Sequence, residues 1–344
     1  MESLIEVFHN SLYNTKDISH VDISDFKQRR INIMRFYFAP MEGVTRHIYR
    51  NAYAKYFGKV DRYFAPFVCA NQSGNYKTRE ITDIIPENNI GIDLVPQILT
   101  CNAADFILAS KKMKSLGYDE INLNLGCPSG TVVSKKKGSG FLAYPQELDE
   151  FLERIFTESE TKISIKTRIG KEDPVEFHRL LEIYNKYAME ELIVHPRIQK
   201  DMYNNKPNLD VFEEAVKLSK NTLCYNGDIC TVNDYLAITE RFPSIDRIML
   251  GRGLIANPEL ILEIMGEAKK DKKVWREFHD EVYHGYQEIM SGDKNALFKM
   301  KEFWFYMSKM FTNNEKYMKK IRKAQKASEY EETVSSLFRE QELI

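Results

Sequence analysis

Apolar residues recur along the middle of the chain in short runs, each closed by a turn or polar residue. Runs with the look of strands occupy Phe36–Pro40, Tyr63–Val68, Val95–Leu99, Ile121–Leu125, Ile163–Thr167, Leu192–His195, Leu223–Asn226 and Arg247–Leu250. Ile121, Leu123 and Leu125 alternate with polar residues, a buried-strand pattern that Gly126 and Pro128 stop abruptly. Between the runs lie stretches long enough for a helix. Two of them keep helical spacing: Phe106, Ala109, Met113 and Leu116, then Leu180, Ile183, Tyr184 and Tyr187. Eight strand–helix units, one every 25 to 40 residues or so, predict an α/β fold, a parallel (β/α)8 TIM barrel of about 250 residues. A doubly wound sheet normally needs fewer strands.

The strand rhythm stops after Pro258, and residues 259–344 read as helix throughout. Val274, Phe278, Val282, Tyr286 and Met290 form one apolar stripe; Leu297, Met300, Trp304, Ser308 and Phe311 form a second. Such stripes predict packing, so a small C-terminal helical bundle domain is expected beside the barrel. Residues 1–34 are polar and weakly periodic and read as an appended arm. The expected division is therefore an N-terminal extension over 1–34, a barrel over 35–258 and a helical domain over 259–344.

Charge changes the picture only locally. The chain of 344 residues carries a net charge of −1, with 43% hydrophobic and 29% charged residues, as in ordinary soluble proteins. Between Lys294 and Lys326, however, ten lysines or arginines meet only Glu302 and Glu315. Lys319, Lys320, Arg322 and Lys323 are dense enough for contacts with phosphates. The five cysteines are odd in number and scattered, with no Cys-x-x-Cys, which argues against a disulfide framework, a zinc ribbon or an iron–sulfur cluster. A reducing cytoplasm fits this usage. No apolar run has the length of about 18 residues needed to span a membrane, and Glu2 and Glu6 sit where a signal peptide would be basic.

In a barrel, polar groups at the strand carboxyl ends converge on one mouth. Strand one ends in Ala39-Pro40-Met41-Glu42-Gly43-Val44-Thr45. Strand three supplies Gln97, strand four Asn124 and Cys127, strand five Lys166 and Arg168, strand six His195 and Arg197. Strand seven ends in Asn226-Gly227-Asp228 and strand eight in Gly251-Arg252-Gly253. Glycines there would let a ligand approach the backbone, so a phosphate is expected between Asn226–Asp228 and Gly251–Arg252. Lys166 would set positive charge against the reducible end of a flavin, with Gln97 bonding to the ring edge. Cys127, on a loop at a strand end, has the chemistry of a nucleophile, a metal ligand or a proton donor. No phosphate-binding loop or dinucleotide fingerprint competes.

These residues resemble the tRNA-dihydrouridine synthases, FMN-dependent enzymes of the bacterial type. Asn124-Leu125-Gly126-Cys127-Pro128, Val132 and Gly138-Ser139 are similar to the family signature, as are Ala39–Thr45, Ile165–Arg168, Asn226–Ile229 and Gly251–Gly253. The family usually has Asp in place of Arg46 and Thr in place of Ile198, both on the substrate side. The resemblance implies FMN bound by Pro40, Met41, Gln97, Lys166, His195, Asn226, Gly227, Asp228, Gly251 and Arg252. It implies NADPH (or NADH) as reductant and tRNA as partner, with no membrane and no obligate protein partner. Hydride would pass from flavin N5 to uracil C6, and Cys127 would protonate C5 as general acid. Asn124, Arg168 and Arg197 would hold the base, while Lys319, Lys320, Arg322 and Lys323 grip RNA backbone. No metal is implied. Three alternatives stay open: an FMN barrel acting on a free pyrimidine, of the dihydroorotate or dihydropyrimidine dehydrogenase type; the same reduction on ribosomal RNA; and a non-catalytic RNA-binding protein. The first normally has Ser before the cysteine, where Gly126 stands, and Asn or His after the proline, where Ser129 stands.

Overall fold

The computed structural model describes residues 33–71 and 74–344. The arm expected over 1–34 falls, but for its last two residues, outside them. Ten short strands form one parallel sheet: β1 (Arg35–Phe38), β2 (Arg62–Phe64), β3 (Val68–Cys69), β4 (Leu94–Val95), β5 (Gln97–Leu99), β6 (Glu120–Leu125), β7 (Lys162–Arg168), β8 (Leu192–His195), β9 (Leu223–Tyr225) and β10 (Arg247–Leu250). Their order is β3-β5-β6-β7-β8-β9-β10-β1-β2-β4.

The two ends of that order belong together. β2 and β3 are halves of one extended segment broken around Pro66, and β4 and β5 are halves of another broken at Pro96. The sequence pattern reads both segments as unbroken strands. Proline interrupts them because it has no N–H to give to the ladder. β2 pairs with β4, Tyr63 opposite Leu94, and β3 pairs with β5, Val68 opposite Ile98. The broken segments therefore lie side by side, and the sheet closes as the eight-segment (β/α)8 barrel.

Strand residues are buried on both faces, as parallel sheets require. Phe36 and Phe38 point outward onto helix residues Tyr235, Tyr49 and Tyr53. Tyr37 between them joins Ala39, Phe64, Val95, Ile193, Cys224 and Met249 in a cluster drawn from strands all round the barrel. That plug closes the interior and leaves the carboxyl ends of the strands as the open mouth.

Helices Leu260–Ile264, Lys272–Ile289, Asp293–Met307, Glu315–Lys323 and Ala327–Glu340 follow the last strand. The Lys272–Ile289 helix lies on the barrel helix His47–Tyr56, where Phe278 meets Tyr49 and Phe57 edge to face at 5.5 and 5.1 Å. Gly285 permits the contact, since a Cβ there would stand 2.8 Å from Ile48 Cγ2. Arg35–Ile344 thus make one compact unit. Among the helices, His279 bonds to Asp280 at 2.8 Å and accepts from the Tyr330 hydroxyl at 2.6 Å, and that hydroxyl accepts from the Trp304 indole at 2.8 Å. All three rings are buried. Tyr330→Phe strands two buried polar atoms and is expected to cost roughly 2–4 kcal/mol, read as a lower urea midpoint with an unchanged slope.

Candidate active site

The barrel mouth opens into a cavity of about 1060 Å³. Pro40 and Met41 line it from the end of β1, Gln97 from β5, and Asn124 and Cys127 from the end of β6. Lys166, Arg168, His195, Asn226, Gly227, Asp228, Gly251 and Arg252 complete the ring. Arg197 does not line it. Lys319, Lys320, Arg322 and Lys323 lie elsewhere, exposed on the Glu315–Lys323 helix.

The Cys127 loop has no regular structure, and side chains fix it. Asn124 Oδ1 accepts from the backbone N–H of Gly126 (3.0 Å) and of Cys127 (2.9 Å). Its amide N–H donates to Gln97 Oε1 at 2.7 Å; Gln97 Nε2 donates to Asn122 Oδ1 at 2.8 Å; Asn122 Nδ2 donates to Ser164 Oγ at 2.9 Å. A buried amide ladder therefore runs across three neighbouring strands into the loop. From the other side, Ser139 donates to the Cys127 carbonyl through its N–H (3.1 Å) and hydroxyl (2.8 Å). Gly138 makes that approach possible: its φ is +57°, and a Cβ would stand 2.8 Å from the same carbonyl. Arg168 Nε holds the Gly126 carbonyl at 3.0 Å. Burial pushes the Cys127 thiol up, against the opposing pull of the Ser129 N–H, Arg168 and Lys166, so it is a protonated thiol at neutral pH.

The rest of the ring is rich in donors. Lys166 has no hydrogen-bond or ion-pair partner among the described residues, and desolvation with Arg168 nearby brings it down to about 8. Burial and the surrounding Lys166, Arg168, Arg197 and Arg252 hold His195 well below its ordinary value. Arg197 donates to His195 Nε2 at 2.9 Å, so the ring proton of the neutral imidazole is on Nδ1. Gly227, Asp228 and Gly251 give their N–H groups to no backbone carbonyl among the described residues. Gly227 is small for another reason than ligand approach: a Cβ there would meet the Tyr225 hydroxyl at 2.1 Å.

Two arginines expected to touch substrate are engaged by the protein. Arg168 donates to the carbonyls of Ile198 (2.8 Å) and Met202 (2.7 Å) as well as Gly126. Arg197 is 1% exposed and bonds to both Asp228 oxygens and to Asn205 O. Arg252 also bonds to Asp228. Sequence reasoning missed Tyr203, whose ring carries the guanidinium carbons of Arg168 at 5.3 Å and Arg252 at 4.9 Å. It also missed the wall formed by Phe298, Lys301, Glu302, Phe305 and Tyr306 of the Asp293–Met307 helix. Their spacing of three or four was the available signal, a second stripe beside the core one.

A protonated thiol and a set of unpaired donors thus stand together at the mouth of a (β/α)8 barrel, the place where enzymes of this fold carry their chemistry. Residues 37–343 match the family model described as Dihydrouridine synthase (Dus), and the chain belongs to that family. It is 24% identical over 241 residues to tRNA-dihydrouridine synthase B of Pasteurella multocida (strain Pm70), covering 70% of this chain and 71% of that protein. It is 28% identical over 233 residues to the Probable tRNA-dihydrouridine synthase 2 of Bacillus subtilis (strain 168), covering 65% and 70%.

The family is FMN-dependent, and the donor set fits that group. Unpaired Lys166, the His195 Nδ1–H, the backbone N–H groups at the ends of β9 and β10, and Arg252 all offer hydrogen to an acceptor-rich anion. Pro40 and Met41 give an apolar surface beside them. Because Lys166 loses its proton near pH 8 in the free protein, binding an anion above that pH must take one up. FMN affinity is expected to hold steady from about pH 7, where its phosphate is already mostly doubly ionised, to pH 8, and to fall by up to about ten-fold per pH unit above that. Lys166→Met should flatten that slope, as read by flavin fluorescence titration of the apoprotein.

Proposed function

We propose that this protein reduces specific uridines of tRNA to 5,6-dihydrouridine, using FMN with NADPH (or NADH) as reductant, in the cytoplasm and without an obligate protein partner. The observation that carries the reading is the Cys127 thiol, kept protonated by burial and fastened from both sides at the rim of the donor-lined cavity. No helix among the described residues is long and apolar enough to cross a membrane.

The hydride for uracil C6 comes from FMN when that group is bound, and ultimately from the nicotinamide. C5 then needs a proton, and Cys127 gives it as general acid; the resulting thiolate is reloaded from water at the mouth. Lys166, His195, Gln97, Pro40 and Met41 hold the flavin ring, and Asn226, Gly227, Asp228, Gly251 and Arg252 its phosphate end. Asn124 sets the height of the Cys127 loop while lining the cavity beside the base. Arg168 lines the cavity and positions the cysteine loop, while Arg197 acts one layer back and positions His195 and Asp228. Residues 259–344 serve as the RNA-binding domain, with exposed Lys319, Lys320, Arg322 and Lys323 unpaired by any carboxylate among the described residues and free for phosphates.

Cys127→Ala removes the proton and leaves the loop's backbone bonds in place. Dihydrouridine formation on unmodified tRNA is expected to fall by at least about 100-fold, measured by mass spectrometry of the product, while the flavin absorbance of the protein persists. Normal turnover by that variant overturns the general-acid role.

A further inference from the structure

The Asp293–Met307 helix has two apolar faces. Leu297, Met300, Phe303, Trp304 and Met307 are buried in the bundle. Phe298 and Phe305, two turns apart, are 60% and 58% exposed, and both line the active-site cavity. Phe298 is shared with a second hollow of about 320 Å³ that Ile289, Met290, Ser291 and Asn295 also line. Each ring has an ammonium group beside it: Lys299 Nζ lies 5.5 Å from the Phe298 centroid and Lys309 Nζ 5.9 Å from that of Phe305. Lys309 has no carboxylate partner among the described residues, whereas Lys299 is paired with Glu302 at 2.8 Å and bonds to the Gly43 carbonyl at 3.1 Å.

Large exposed rings at a cavity lip, each with a cation alongside, match one kind of partner better than others. Single-stranded nucleic acid offers flat faces to the rings and a phosphate to Lys309. Turning one uridine into the barrel unstacks its neighbours, at a cost of a few kcal/mol. A ring just outside the mouth restores that lost stacking. We propose that Phe298 and Phe305 are stacking platforms for the nucleobases flanking the reduced uridine, the base on Phe298 resting in the second hollow. This rests on the reading above that the substrate is RNA.

Phe298→Leu and Phe305→Leu keep an apolar side chain but remove the flat face, and neither ring is part of the core. Each is expected to raise KM for unmodified tRNA by roughly five- to hundred-fold, with kcat at saturating RNA within about two-fold. Phe298→Trp should restore KM. Because Trp275 and Trp304 are both buried, a fluorescence quench in the F298W protein on adding a uridine-containing single-stranded oligonucleotide would report stacking at that position. An unchanged KM in the leucine variants, a defect that tryptophan does not rescue, or a lower melting temperature with unchanged KM overturns the proposal; the last would mean the rings pack against protein. If the wild-type protein forms no dihydrouridine in tRNA, the functional reading falls, and the F298W quench alone decides whether the platform exists.

Discussion

The Cys127 loop depends on the direction of one chain of amides. Asn, Gln and Ser side chains can each be turned either way, but the backbone N–H groups of Gly126 and Cys127 can only donate. They therefore require the oxygen of Asn124. With that oxygen committed, the Asn124 amide nitrogen must face Gln97, whose own nitrogen must face Asn122, whose nitrogen must face Ser164. One irregular loop thus orders four side chains on three strands, and those strands in turn hold the loop. Each bond contributes only about 1 kcal/mol net, but leaving any member unpaired in this burial costs more. The result is a thiol whose place is set by the barrel instead of by the loop's own conformation.

Charge around the mouth follows from the same packing. Arg168, Arg197 and Arg252 crowd one side, and Asp228 answers two of them at once. Lys166 is left without a counter-ion among the described residues, and His195 is held neutral by burial and its cationic neighbours. Such a mouth is under-neutralised in the free protein. It gains by taking in an acceptor-rich anion, which relieves the repulsion as it binds. Cys127 has the opposite need. Its burial outweighs the pull of Arg168 and Lys166, so the proton stays on sulfur.

Much of this was legible in the chain. Runs ending in glycine, proline or a polar residue marked eight barrel segments and placed the mouth residues in their order. Pro66 and Pro96 hid the breaks in segments two and three, because an apolar run reads as continuous whether or not one residue lacks an N–H. Arg168 and Arg197 were assigned to substrate because a cation at a strand end invites an anion. Arg168 instead bonds to the carbonyls of Ile198 and Met202, and Arg197 to the Asp228 carboxylate and the Asn205 carbonyl, on loops whose path no periodicity announces. Gly227 was read as room for a ligand, when its hydrogen faces the Tyr225 hydroxyl. In each case the deciding partner is an atom brought near by tertiary structure alone.

The wall from the Asp293–Met307 helix also ties the helical tail to the mouth. Lys299 Nζ on this helix donates to the Gly43 carbonyl at 3.1 Å, and Tyr286 on the preceding helix donates to Val44 O at 3.5 Å. Gly43 and Val44 belong to the loop that carries Met41 into the mouth, where the Thr45 hydroxyl accepts from the Met41 N–H at 2.8 Å. A tail that moved as a separate body would break these bonds and shift the surface beside Met41. The edge-to-face packing of Phe278 on Tyr49 and Phe57 opposes such motion with apolar burial far larger than two hydrogen bonds supply. The Asp293–Met307 helix is therefore held in a fixed place beside Met41 at the mouth.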